Sequence, residues 1–235
     1  MKKVLKIIGG IIVFFTLPTF LLFGFLYLKY NEPLPEGKQG KAADALAEKM
    51  LDALDHEAYK KTDYIEFTFK NRHRYEWNKA EKACDVLWKS FMVKLDLTNP
   101  DNSKVFVAEQ LYNGKEKQDY IDKAESYFNN DSFWLVAPYK VFDPRTERRL
   151  VNIDEGKEAL LVTYTSGGST PGDSYLWYLD RNGMPTSFQM WVDILPIDGL
   201  EASWTDWTTT ETGAKLPSFH KLLILGIEIT DIKTE

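Results

Sequence analysis

The sequence YLWYLDRNGMPTSFQM, at residues 175–190, contains two runs of strand-forming residues on either side of Asn182-Gly183. This dipeptide favours a two-residue type I′ turn, because both positions of that turn need a positive φ. The turn fixes which residues of the two strands face each other, and it groups the large apolar side chains on one face. The facing pairs predicted in this way are Asp180 and Pro185, Trp177 and Phe188, and Tyr175 and Met190. The hairpin therefore predicts an antiparallel sheet with one apolar face.

The same alternation of apolar and polar residues recurs along most of the chain beyond residue 60. Residues 64–70, for example, place Ile65, Phe67 and Phe69 on one face. The predicted strands cover residues 64–70, 74–77, 83–88, 91–97, 104–109, 146–152, 158–165, 173–180, 185–193, 200–209 and 219–232. Many short strands separated by short connections are typical of an antiparallel sheet.

Two segments have apolar residues at helical spacing, residues 40–56 and residues 117–138. In the second segment, the polar stretch 129–132 predicts the end of one helix and the cap of another. Strand twist accumulates in a large sheet, so the sheet should curl around these helices. The expected fold class is α+β, with an N-terminal transmembrane helix and a curled antiparallel sheet. This sheet is an open half-barrel of about nine to eleven strands, packed against an N-terminal and a central helix.

The first 30 residues form an apolar stretch in which Lys6 is the only charged residue between Val4 and Leu28. About 20 apolar residues in a helix are long enough to cross the hydrocarbon core of a membrane. A cleaved signal peptide and a helix buried in the domain are the alternatives. A signal peptide usually has a shorter apolar region that ends in a small-x-small cleavage site, and this stretch has neither feature. We therefore expect residues 1–30 to be a retained transmembrane anchor.

The flanking charges predict the orientation of this anchor. Lys2, Lys3 and Lys6 precede the span, whereas the lysines after it are spread over a longer loop. The positive-inside rule then places the amino terminus in the cytoplasm and the rest of the chain outside. The expected location is the inner membrane of a bacterium, with a single span and the C-terminal domain in the periplasm or outside the cell. Residues 31–37 contain two prolines and predict a stiff linker, which leaves residues 38–235 as one domain.

Composition places this domain in the ordinary globular class, because 44% of the chain is hydrophobic and 27% is charged. The net charge is −6, and the basic residues are dispersed apart from Arg145, Arg148 and Arg149. A nucleic-acid-binding protein needs a concentrated positive surface. We therefore expect no nucleic-acid partner.

Four segments of the domain suggest a family. They are LYNG at 111–114, DSFWLVAP at 131–138, YLDRNGMP at 178–185, and the region from Trp204 to Pro217. With the opening helix, this pattern resembles the superfamily of periplasmic lipoprotein carriers and lipoprotein-sorting proteins, the LolA/LolB type, over residues 40–235. The resemblance implies an incomplete antiparallel barrel whose helices cover an apolar cavity that receives acyl chains. Members of this superfamily are soluble shuttles or are anchored through a lipidated cysteine, so the predicted anchor is a departure. The resemblance transfers no functional residue to a numbered position.

Residue types that carry catalysis or bind metals are scarce and scattered. The chain has three histidines, His56, His73 and His220, and one cysteine, Cys84, without the spacing of a metal site or a catalytic motif. The glycine-rich stretch 167–172 lacks the ending of a phosphate-binding loop, so we interpret it as a loop between two strands. We interpret residues 152–156 as a turn. We expect no catalytic residues, no metal and no cofactor.

Aromatic residues carry the functional hypothesis, since a half-barrel with bulky apolar residues on its concave face can form a lipid-sized pocket. The alternative for each residue is that it fills the core. The candidate pocket residues lie on the more apolar face of their strands, and they are Phe67, Phe69, Trp88, Tyr175, Trp177, Phe188 and Met190. We expect a membrane-anchored, non-enzymatic domain whose partner is a membrane lipid or a lipidated protein. The alternatives are a structural or protein-interaction module of the cell envelope with a filled core and, ranked last, an envelope hydrolase.

Overall fold

A computed structural model describes residues 2–153, 156–166 and 171–235. The predicted loop at 167–172 and the predicted turn at 152–156 lie partly outside these ranges. Helix α1 spans Lys2–Tyr30 and contains Pro18. Its segment Val13–Tyr30 is long and apolar enough to cross a membrane. Large side chains such as Phe14 and Phe20 project from it without protein neighbours to cover them. Such a surface is stable in lipid rather than in water.

The other helices are α2 (Lys41–Ala53), α3 (His56–Lys61) and α4 (Lys117–Val136). Short 3₁₀ turns occur at Pro100–Asn102 and Ala137–Lys140. The predicted break at residues 129–132 is wrong, because α4 continues through this stretch. Asp131 does not cap a new helix there. Its carboxylate is buried and bonded to residues of the sheet, so its tertiary partners override its preference for a helix start.

The described residues form fourteen strands in one sheet. In chain order they are β1 (Tyr64–Phe69), β2 (His73–Asn78), β3 (Ala83–Trp88), β4 (Phe91–Asp96), β5 (Lys104–Val107), β6 (Gln110–Tyr112), β7 (Thr146–Ile153), β8 (Lys157–Tyr164), β9 (Ser174–Leu179), β10 (Pro185–Trp191), β11 (Leu200–Ser203), β12 (Thr205–Thr209), β13 (Lys215–Leu222) and β14 (Leu225–Thr234). The predicted fold class, an apolar N-terminal helix followed by a curled, unclosed antiparallel sheet packed against helices, is confirmed.

The strand order is β6-β5-β4-β3-β2-β1-β14-β13-β11-β10-β9-β8-β7, with β12 paired to β13. The first six strands form one meander, and the last eight form another. They are joined where β1 pairs antiparallel with β14. The two outer strands, β6 and β7, are consecutive in the chain and are connected by α4. The helix must therefore return across the concave side of the sheet.

The strand number exceeds the nine to eleven expected for two reasons. Two predicted strands, 200–209 and 219–232, are each divided in two, and β6 lies beyond the end of the predicted strand 104–109. At Ala108-Glu109 both residues have positive φ, 47° and 65°, and the chain reverses between β5 and β6. Leu223 has a φ of 54° in the turn between β13 and β14. Neither turn contains glycine, so the usual signal for a tight turn is missing. The division of the predicted strand 200–209 falls at Trp204, whose N–H donates to the Thr186 carbonyl at 2.7 Å.

The hairpin at residues 175–190 forms, but its turn differs from the predicted type I′. Gly183 has a φ of 92°, whereas Asn182 has a negative φ. The N–H of Gly183 donates to the Asp180 carbonyl at 3.1 Å, and the Asp180 carboxylate accepts from the N–H of Asn182 at 2.8 Å. These bonds fix a turn over residues 180–183. Pro185 consequently faces Leu179 instead of Asp180.

Farther from the turn, the predicted facing pairs are confirmed: Trp177 with Phe188, and Tyr175 with Met190.

Helices cover the concave face of the sheet. Helix α4 packs against β4, β5 and β13, and α2 packs against β7 and β8. The convex face has a second, small apolar cluster around Trp191 and Leu161. Residues 31–38 lie along it: the indole N–H of Trp191 donates to the Glu32 carbonyl at 2.8 Å, and Lys38 bridges to Leu150. The segment after α1 is thus bonded to the sheet.

A buried carboxylate attaches α4 to the sheet. Asp131 is 2% exposed, and its Oδ2 lies 2.6 Å from the donating hydroxyl of Tyr75 and 2.7 Å from Nδ1 of His73, both on β2. Burial and the neighbouring carboxylate raise the pKa of Tyr75, so its hydroxyl keeps the proton that it donates. A buried carboxylate is stable only when its oxygens are hydrogen-bonded. This cluster therefore fixes the position of α4.

We predict that Tyr75→Phe lowers the free energy of unfolding by about 2 kcal/mol, because it leaves the buried Asp131 carboxylate without one donor. The matched control is Tyr178→Phe, whose hydroxyl donates to Gln189 on the convex side and is half-buried. Its loss should cost less than about 1 kcal/mol. Urea unfolding of both variants in detergent measures the difference. Equal losses in the two variants would contradict the assigned role of Asp131.

Candidate functional site

A cavity of about 580 Å³ lies between the second half of α4 and strands β9 and β10. Large apolar side chains from the helix, from both strands and from the loop after β10 form its walls. They include Phe128, Phe133, Trp134, Tyr175, Phe188, Met190, Val192 and Leu195. The rest of the concave face is filled by buried side chains. The cavity is thus the space that α4 leaves uncovered.

Local geometry explains which side chains reach the cavity. On α4, Ser126, Asn130 and Trp134 are four residues apart and share one face of the helix. On β10, Phe188 and Met190 alternate with residues of the convex face, and Val192 follows directly after the strand. Helix α4 therefore forms one wall of the cavity, and strand β10 forms part of the opposite wall.

Aromatic contacts hold the two walls together. Phe133 of α4 lies 4.6 Å from Tyr175 of β9, measured between ring centroids. Trp134 lies 5.6 Å from Phe188 of β10. Tyr175 and Phe188 are themselves in edge contact at 5.2 Å. These distances are typical of favourable aromatic pairs. The walls are therefore pre-formed rather than dependent on a ligand.

One end of the cavity is polar. Tyr164, Ser166 and Asp173 line it, together with the ion pair between Lys140 and Asp143 at 2.6 Å. The Tyr164 hydroxyl is buried and has no hydrogen-bond partner among the described residues. Burial raises its pKa, so it remains a neutral donor. A buried hydroxyl without a partner is costly. The partly exposed Ser166 and Lys140 are the polar groups at this end that a ligand can reach.

All seven residues predicted for the pocket lie in one buried cluster, but they do not all line the cavity. Tyr175, Phe188 and Met190 line it. Trp177 is fully buried behind Phe188, at 5.1 Å between rings.

The remaining three predicted residues lie in the half of the core formed by β1 to β5. Phe67 stacks on Tyr75 at 4.6 Å, and Trp88 stacks on Phe91 at 5.5 Å. Phe69 is buried in the same core. The cavity residues that the strand pattern did not identify include Phe128, Phe133, Trp134, Tyr164, Val192 and Leu195. For the cavity residues on α4, the signal available in the sequence was the four-residue spacing along the helix.

The three histidines lie in different surroundings. His73 pairs with Asp131, and His56 stacks on Tyr139 at 6.0 Å. His220 is fully buried against Trp204, at 4.4 Å between ring centroids. Burial raises the pKa of the Cys84 thiol well above its ordinary value. In the part of the chain that the structure describes, no group of three or more potential ligands could hold a metal ion.

We predict an acid-dependent loss of stability from His220. Burial lowers its pKa from 6.5 to about 4, against the carbonyls of Ser203 and Trp134, which raise it. Between these pH values the unfolded chain binds a proton that the folded chain does not. The free energy of unfolding therefore falls as the pH drops from about 6.5 to about 4, by about 3 kcal/mol from this residue.

His220→Gln does not titrate, so its unfolding free energy should fall less over that pH interval than that of the unchanged protein. Urea unfolding at a series of pH values tests this. Parallel pH profiles for the two proteins would show that His220 does not carry the effect. His56, whose pKa burial also lowers, contributes equally to both profiles.

No protein-family model matches the chain, and a search of curated proteins finds no significant match. Among solved structures, it is similar to the crystal structure of a DUF1329 family protein from Desulfovibrio piger ATCC 29098. The two are 11% identical, with a TM-score of 0.42, and the match covers 84% of this chain and 94% of the other. A likeness at this distance transfers no activity to this chain.

Proposed function

We propose that this protein is a membrane-anchored, extracytoplasmic domain that binds a lipid or an acyl chain in the cavity between α4, β9 and β10. The observation that carries the proposal is a preformed space of about 580 Å³ with apolar walls in an otherwise filled core. Ligand pockets in proteins have volumes of about 300–1,000 Å³ and mostly apolar walls. An acyl chain is the class of ligand that gains most from burial there.

The polar end of the cavity supports an amphipathic ligand. Ser166 and Lys140 line this end and are partly exposed. The Lys140 ammonium and the Ser166 hydroxyl can donate to a carboxylate, ester or phosphate oxygen. The ligand would therefore place its chain among Phe188, Met190 and the residues of α4 and its polar group at this end.

The membrane part of the proposal rests on α1. Its segment Val13–Tyr30 can span a bilayer, and lysines precede it. With the amino terminus in the cytoplasm, the domain lies in the periplasm or outside the cell. A tethered domain of this kind would extract or present a lipid at its own membrane. The soluble carriers that it resembles would instead diffuse away with their lipid.

We propose no reaction at this site. The cavity walls are mostly aromatic and aliphatic, no histidine or cysteine is among the described lining residues, and His73 and His220 are bonded elsewhere in the core. The second candidate is an envelope module whose core serves only stability. The four predicted pocket residues that lie outside the cavity favour it, since Phe67, Phe69, Trp88 and Trp177 are packed against other side chains. The two candidates differ in one property, which is ligand binding.

We predict that Ser132→Phe weakens the binding of cis-parinaric acid at least about tenfold, because the added ring occupies cavity volume at a cost of about 1.4 kcal/mol or more. Ser132 is buried on α4 and lines the cavity. Thr208→Phe adds the same ring in place of a hydroxyl on the exposed strand β12 and should bind like the unchanged protein. Titration of the detergent-solubilised full chain, followed by the fluorescence of the fatty acid, gives the affinities.

Absence of binding by the unchanged protein would favour the filled-core module. Equal weakening by both substitutions would place the binding site elsewhere. Circular dichroism of each variant verifies that the sheet is retained.

A further inference from the structure

The strand register places several connections at one end of the sheet. β13 turns into β14 at residues 223–224, and β1 turns into β2 at residues 70–72, where the Lys70 N–H donates to the Glu228 carbonyl. The turn at residues 89–90 and the loop at 192–199 lie at the same end, because β3 and β10 both run toward it. We call this set of connections the anchor end of the domain.

Helix α1 meets the domain at this end. The Glu32 N–H donates to the Asp198 carbonyl at 3.0 Å, and the Asp198 N–H donates to the Asn31 side chain at 3.0 Å. Leu26 and Tyr30, in the last turns of the helix, pack against the core of the domain. Leu26 is about 6 Å along the helix axis from Tyr30. The domain therefore begins at the level of the apolar span and not at the end of a long stalk.

The anchor end exposes large aliphatic side chains. Ile224 is 92% exposed, Leu225 is 57% exposed, and Ile194 is 67% exposed. Leu222 pairs with Ala202, so the same register brings Ile224 level with Leu200, two residues from Asp198. The exposed tip of the β13–β14 hairpin thus lies beside the attachment point of α1. Two adjacent aliphatic residues exposed at a turn are a liability in water.

Basic side chains surround this tip. Lys70, Arg72, Lys89 and Lys221 are exposed, and none of them forms an ion pair within the described ranges. The acidic residues Glu32, Glu109, Asp193 and Asp198 are exposed at the same end and balance these four cations. Burial of the aliphatic side chains would therefore supply the attachment, and the cations would contact the phosphates of the lipid headgroups.

We propose that the anchor end docks on the bilayer surface, with Ile224, Leu225 and Ile194 inserted among the lipids and the four cations at headgroup level. The inference rests on the membrane anchoring in the proposed function. It adds a specific surface of the domain and a partner, the lipid bilayer. Docking would also orient the cavity, since Leu222, Ile194 and Leu195 line it and lie at this end. The cavity would then open toward the lipid and not toward bulk water.

The test uses single cysteines labelled with an environment-sensitive nitrobenzoxadiazole dye. Cys84 is 1% exposed, and its raised pKa makes it unreactive, so an introduced cysteine is labelled selectively. The test position is Ile224→Cys. The matched control is Asn182→Cys, in the exposed turn between β9 and β10 at the opposite end of the sheet. The full chain is reconstituted into vesicles of phosphatidylcholine and phosphatidylglycerol.

The proposal predicts that emission from the label at position 224 shifts to shorter wavelength in vesicles and resists a water-soluble quencher. The label at position 182 should stay water-like. A water-like label at position 224 in chain that remains with the vesicles on flotation would overturn the docking and leave the anchoring intact. Failure of the chain to float with the vesicles would overturn both the docking and the membrane anchoring. Either result leaves the cavity test above unaffected, because that test is done in detergent.

Discussion

The structure depends on how one helix is held against the concave face of a large sheet. Fourteen strands form this sheet, and α4 connects its two outer strands, β6 and β7, across the hollow. The Asp131 carboxylate, bonded to Tyr75 and His73, fixes α4 over the half of the sheet that contains β2. One helix cannot cover the whole concave face. In the second half of α4, Phe133 and Trp134 contact β9 and β10, and the cavity is the space beside these contacts.

Sequence patterns identified those parts of the fold that rest on local chemistry. Alternation gave the strands, and the pairs Trp177–Phe188 and Tyr175–Met190 followed from the hairpin. The patterns failed where contacts between residues far apart in the chain determine the local structure. Asp131 looks like a helix cap until its partner Tyr75, far away in the chain, is known. The turn at Ala108-Glu109 has positive φ without glycine, so nothing local marks it.

The cavity was predictable only in part, for a related reason. Strand alternation shows which residues face the hollow, and it correctly grouped Phe67, Trp177 and Phe188 on the apolar side. It does not show which of these residues the helix covers. Phe67 lies in the half of the core that is filled, whereas Phe188 lies under the gap between α4 and the sheet. That distinction follows from the position of α4, which Asp131 and the aromatic contacts of Phe133 and Trp134 determine.

Together, the cavity, its polar end and the attachment of α1 support the proposal of a lipid-binding domain held close to a bilayer. The most direct test of this account is photocrosslinking of the full chain in detergent with a fatty acid that carries a diazirine in its chain, followed by mass spectrometry of the peptides. The account predicts adducts on Phe133, Trp134 and the cavity-lining residues Phe188, Met190, Val192, Ile194 and Leu195. Adducts confined to α1 or to strands β1 to β5, or no adducts on the domain, would contradict it.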